Sequence, residues 1–161
     1  MIALGIDPGF KRVGYGLVER AFGKTTMIKA GLLQIDSSSK PAAYKEIRDE
    51  LEIIIKKFIP EILGIEKLYF SKNQKTALGV SESRGVVLLC AAENNLPVRE
   101  FSPSELKLGI TGYGLADKKA VAKMVKMILD EPGLKVVDDV TDALALAILA
   151  TSAQQLSPVD K

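Results

Sequence analysis

The chain has 161 residues, 47% of them hydrophobic, with 22 lysines and arginines against 20 aspartates and glutamates, one cysteine and no histidine. The missing histidine excludes Ser-His-Asp and Cys-His nucleophilic schemes and His-based zinc sites, and a single cysteine can form neither a zinc site nor an intrachain disulfide. The length suits one domain with a substantial core, the net charge of +2 neither demands nor excludes a nucleic-acid partner, and neither a signal peptide nor a membrane-spanning apolar run is expected.

Three strands open the chain, Ile2 to Asp7, Val13 to Glu19 and Thr26 to Ile35, with Gly9 and Gly23 in the turns between them, as in an antiparallel meander. Ser37 to Pro41 reads as a loop. Ala42 to Phe58 has helical spacing, with Ile47, Leu51, Ile54, Ile55 and Phe58 on one side, and Pro60 stops it. Ile62 to Ile65 is a short buried strand ending in Glu66. Gln74 to Glu93 is a second helix despite Gly79 and Gly85, which cost roughly 1 kcal/mol each against alanine and suit the close approach of another backbone. It carries Cys90 in an apolar run, a core position that fits a reducing compartment. Leu96 to Phe101 is a further strand and Ser104 to Leu108 a helical turn, followed by a flexible loop through Gly109, Gly112 and Gly114. Asp117 to Leu129 and Asp139 to Ala153 are the last helices. This order predicts one mixed α/β domain over 1–161, a central sheet flanked by helices, with a loose tail from about residue 154.

The acidic residues gather at element ends. Asp7 and Glu66 each close an apolar strand, and if those strands are neighbours both carboxylates leave the same end of the sheet. Asp139 and Asp142 lie at i and i+3 near the start of a helix that is apolar nearly all round from Ala143 to Ala150, so its acidic start is held against the core. Each has a plainer explanation. Asp7-Pro8-Gly9 is ordinary turn chemistry, Glu66 suits a solvated strand end, and Asp138, Asp139 and Asp142 suit a helix N-terminus, where unpaired amides favour acids. For Asp138 the capping role is preferred. Four carboxylates without histidine suit magnesium, which prefers oxygen ligands and retains waters, and a pair of such ions roughly 4 Å apart can serve phosphodiester hydrolysis.

These residues also carry a resemblance. GIDPG at 5–9 with GYG at 14–16, GIE at 64–66, SRGV at 83–86 and DxxDALALA at 139–147 are similar, in order and spacing, to the RuvC Holliday-junction resolvases of the ribonuclease H-like superfamily. The likeness runs from Met1 to about Ala150. It implies a ribonuclease H-like mixed five-stranded sheet. It implies that Asp7, Glu66, Asp139 and Asp142 hold two magnesium ions, or manganese, and that an activated water attacks the scissile phosphate in line. Paired symmetric nicks that ligase can seal, in a four-way junction formed during recombination and repair, are the implied outcome. Some members carry histidine where this chain has Asp139, so a histidine-assisted mechanism is ruled out here. Lys107 and Lys118, with Lys119 as a neighbour able to substitute, match basic positions that contact phosphates near the cut, although solvated surface charge is their plain alternative. Tyr69 matches an aromatic position that stacks on opened bases, while Phe70 is expected to pack. Lys72 and Asn73 fall in a polar stretch near DNA, and Arg84 matches an arginine whose role is equally structural. A homodimer through the Gln74–Glu93 region, the branch-migration partners RuvA and RuvB, and a bacterial cytoplasmic, nucleoid-associated location are also implied. Two other readings compete: a ribonuclease H-like nuclease acting on RNA precursors, which would share GIDPG, and an actin-like nucleotide-binding module, which generally needs a duplicated domain that 161 residues do not provide.

Overall fold

A computed structural model of the chain describes residues 1–9, 12–68 and 74–152, the side chains of 74–77 excepted. The N-terminal meander is present as β1 (Ile2–Asp7), β2 (Gly14–Ala21) and β3 (Lys24–Leu32), each antiparallel to the one before. Helix α1 (Lys40–Phe58) leads to β4 (Ile62–Glu66), which pairs parallel to β1; α2 (Gln74–Glu93) leads to β5 (Val98–Phe101), parallel to β4. The sheet order is β3-β2-β1-β4-β5. Three helices follow, α3 (Pro103–Thr111), α4 (Lys118–Ile128) and α5 (Asp138–Ser152).

The two-residue period of a strand separates two cores. Leu4 and Ile6 of β1 point towards α1 and α2, where they join Leu17, Leu63, Ile65, Ile47, Leu51 and the buried Cys90. Ala3 points the other way, into the cluster built by α3, α4 and α5. Gly5 and Asp7 fall on the Ala3 face, and Gly64 and Glu66 on the corresponding face of β4. This alternation turns both strand-end acids towards α5.

Helix α5 lies across the middle of the sheet, with every residue from Ala143 to Thr151 buried. Its depth explains why glycines recur along β1, β2 and β4. A Cβ on Gly5 would stand 1.9 Å from the Ala143 carbonyl oxygen, one on Gly14 2.1 Å from that of Asp139, and one on Gly64 2.6 Å from that of Leu146. With Gly16, which meets Leu144, these residues form a bed without side chains on which the helix backbone rests.

Several boundaries differ from expectation, among them the start of α1, which takes in Lys40 and Pro41 of the expected loop. α3 extends to Thr111 and includes Gly109, which had suggested a loop. A Cβ there would meet Leu149 Cδ2 at 2.4 Å, so this glycine serves the crossing of α3 over α5. β5 starts at Val98 because the Leu96 amide bonds to the Ala91 carbonyl and closes α2 instead. β3 ends at Leu32, although the buried Leu33 still donates its amide to Val13. Gly85 of α2 meets no neighbour within 4 Å of its Cβ position among the described residues, so none of them makes the close backbone approach expected there. Among the described residues no helix is long and apolar enough to cross a membrane.

Candidate active site

The site is assembled where β1 and β4 end. These strands are parallel neighbours with Ile6 opposite Ile65, so the next residues, Asp7 and Glu66, leave the sheet side by side. Asp7 pairs with Gly14 on its other flank, and Gly14 presses against the Asp139 backbone at the start of α5. Asp142 follows one turn later on the same helix face. Asp7, Glu66 and Asp142 line an open pocket of about 390 Å³, together with Lys107 and Lys118 and an apolar wall that includes Leu106 and Val121. Asp139 stands beside this pocket rather than in its wall. Its Oδ2 is buried and makes no hydrogen bond among the described residues, though Arg12 Nη2 lies 2.7 Å away at ion-pair distance.

Local capping places both lysines. Ser102 and Glu105 form a reciprocal capping box at the start of α3, behind Pro103, and this short helix carries Lys107 to the pocket. Asp117 accepts a hydrogen bond from the Ala120 amide at 2.7 Å and starts α4, which leaves Lys118 at its first position. Lys118 Nζ is 3.7 Å from Asp142 and 3.8 Å from the exposed Asp138. The neighbouring Lys119 is exposed and lies outside the pocket wall.

Charge of one sign is concentrated here. Burial, followed by the carboxylates of Asp142, Asp139 and Glu66, pushes the Asp7 carboxyl up from 3.8 to about 7, and Lys118 opposes this. Burial and Asp142 raise Glu66; burial raises Asp142, against the pull of Lys118. The sign of the consequence is definite. A carboxyl that holds its proton more tightly when folded loses stability as pH rises above its unfolded value, until the folded group has ionised. Between pH 5 and 7 the metal-free protein should therefore lose about 2 kcal/mol through Asp7. Urea unfolding in the presence of a chelator should show this decline, and Asp7→Asn should flatten it. A wild-type profile that rises over that window would contradict the clustering.

Arg84 occupies a structural position. It is 15% exposed, its Nε donates to the Glu66 carbonyl oxygen at 3.2 Å, and its guanidinium pairs with Glu100. It thereby braces the end of β4 that carries Glu66. Tyr69, Phe70, Lys72 and Asn73 lie outside the described residues. Two features escaped the sequence reading. Arg12 faces Asp139 only through the hairpin's placement over α5, and the glycine bed needs the sheet register, although the GYG spacing hinted at it.

A family model described as crossover junction endodeoxyribonuclease RuvC matches residues 3–150. The chain belongs to the RuvC family. The RuvC of Thermosipho melanesiensis is 42% identical over 150 residues, which span 91% of this chain and 94% of that one. The RuvC of Caldicellulosiruptor saccharolyticus is 43% identical over 150 residues, spanning 92% and 90%. Among solved structures, Thermus thermophilus RuvC in complex with a Holliday junction substrate superposes with a TM-score of 0.87 at 26% identity, covering 96% of both chains. The mixed five-stranded sheet is thus the ribonuclease H-like fold of RuvC, and the family is one of metal-dependent nucleases. The actin-like and RNA-precursor alternatives give way to this membership.

Proposed function

We propose that this RuvC-family chain is a structure-selective endonuclease that resolves Holliday junctions by paired, symmetric phosphodiester hydrolysis, with Asp7, Glu66, Asp139 and Asp142 as ligands of two magnesium ions, replaceable by manganese. The observation that carries this is the pocket in which Asp7, Glu66 and Asp142 face Lys107 and Lys118, brought together from five separate elements.

The residues fit a hard divalent cation. Every donor is oxygen, the buried Asp139 Oδ2 makes no hydrogen bond among the described residues, and the Asp7 carboxyl is driven towards protonation by burial and then by its acidic neighbours, a penalty that a cation would offset. Among the described residues no three carboxylates form a ready-made cage. Magnesium binds through one or two carboxylates, retained waters and substrate phosphate. When bound, such ions supply Lewis-acid stabilisation of the phosphodiester and lower the pKa of a water. The chain's own part is to hold and orient. Lys107 and Lys118 present positive charge to a phosphate entering the pocket, whose wall includes the apolar Leu106 and Val121. Lys119 is a reserve phosphate contact, and Arg84 keeps Glu66 in place.

Tyr69 is assigned to stacking on an unpaired base at the opened junction, worth about 1–3 kcal/mol per base, with Lys72 and Asn73 near the same strand. A C2 dimer would present two copies of the site to a substrate of matching symmetry. Support comes from the outward face of α2, where Leu78, Ser81, Gly85 and Leu89 follow one another at helical spacing, all exposed and none charged. RuvA and RuvB as partners, and a nucleoid-associated cytoplasmic setting, belong to the same reading. The test is cleavage of a synthetic four-way junction beside linear duplex, with magnesium and with chelator. Paired nicks in the junction alone, lost on chelation, are expected. Equal cutting of the duplex, or cutting that survives chelation, would overturn the proposal.

A further inference from the structure

We infer that Arg12 is a positioning residue whose guanidinium holds Asp139 in the metal-free enzyme and must be displaced before Asp139 can take a divalent cation. This rests on the proposed role of Asp139 as a metal ligand. Arg12 Nη2 lies 2.7 Å from Asp139 Oδ2, and the side chains are 60% and 30% exposed respectively. Among the described residues Oδ2 has no aligned hydrogen-bond partner, so the contact with Arg12 is chiefly one of charge. Such a pairing is easily exchanged for another cation.

The backbone leaves Asp139 little freedom. Gly14 presses on its carbonyl, and Val13, between Arg12 and Gly14, is fully buried and accepts the Leu33 amide. The hairpin therefore delivers Arg12 to this carboxylate by construction, while the long, mostly exposed Arg12 side chain has solvent to retreat into. A magnesium ion bonds a carboxylate oxygen at about 2.1 Å. A guanidinium against the same oxygen would then meet a doubly charged neighbour at close range, and the two exclude one another. Lys118 has the equivalent relation to Asp142, but at 3.7 Å and shared with Asp138, so Arg12 is the tighter of the two counter-ions. Arg12 thus lowers the affinity of the Asp139 side of the site and steadies it while it is empty.

Manganese titration of the DNA-free full-length protein, read by the electron paramagnetic resonance signal of free manganese, tests this. Arg12→Gln should bind manganese about two- to fivefold more tightly, the factor set by an ion pair of this exposure. Arg12→Lys should fall between Arg12→Gln and wild type. In an Asp139→Asn background, Arg12→Gln should change nothing. A merely structural role predicts weaker binding on removal of Arg12, so unchanged or weaker binding in Arg12→Gln overturns the inference, as does a gain that persists in the Asp139→Asn background. Should Arg12→Gln fail to fold, Arg12→Lys decides, and no gain counts against the inference. If Asp139→Asn alone leaves wild-type affinity intact, the ligand assignment itself falls, and the role of Arg12 with it.

Discussion

Asp7→Asn should abolish junction cutting while leaving junction binding close to wild type. Asp7 sits between the other three acids: it follows Ile6 on β1 beside Glu66 on β4, and across β2 it faces the glycine that supports Asp139. Burial first, and then all three of these nearby carboxylates, raise its pKa. An amide keeps the shape and one acceptor oxygen but loses the charge that a divalent cation requires. Metal contributions to phosphoryl chemistry amount to several kcal/mol, and about 1.4 kcal/mol is tenfold in rate, so a loss of at least about a thousandfold is expected. Single-turnover cleavage in magnesium, beside a gel-shift titration in chelator, measures both quantities. Binding should hold or tighten slightly, because one negative charge leaves a site that must admit phosphate. Wild-type cleavage by Asp7→Asn would remove this carboxylate from the chemistry.

Gly5→Ala should be the most damaging single methyl group in the protein. The added Cβ would stand 1.9 Å from the Ala143 oxygen and 2.5 Å from the Ala147 nitrogen, both backbone atoms of α5. No side-chain rotamer can relieve a clash between two backbones, so α5 must lift from the sheet. Overpacking of this kind costs about 3 kcal/mol or more, a large share of the roughly 5–15 kcal/mol that stabilises a domain. The lift also carries Asp139 and Asp142 away from Asp7 and Glu66, so the folded fraction should cut poorly as well. The urea midpoint and the cleavage rate of the remaining folded protein are the two readouts. Gly133→Ala is the control: among the described residues nothing lies within 4 Å of its Cβ position, and a change within about 0.5 kcal/mol is expected. If Gly5→Ala matches that control, the tight seating of α5 is wrong.

Elements with a strong local signal were legible in the chain itself. The alternation and turns of β1 to β3, the apolar stripe of α1 and the unbroken apolar run of α5 each report a buried surface directly through their periodicity. The lack of histidine confined the chemistry to oxygen ligands, and the spacing of the four motif blocks pointed to RuvC. Gly109 marks where such reasoning stops: a glycine in a loop and a glycine in a helix crossing are identical in sequence, and only Leu149 at the crossing distinguishes them. Arg84 likewise reads equally as a DNA contact or a structural residue, and its bond to the Glu66 carbonyl is visible only in the structure. Sequence by itself determined which residues carry charge at the ends of which elements. Only the tertiary structure decided that β1 and β4 are neighbours, that glycines let α5 sink between them and the helical layer, and that Arg12 stands over Asp139. The physical reason is that periodicity encodes how one segment meets the core, whereas register and crossing depth are settled by contacts between segments far apart in the chain.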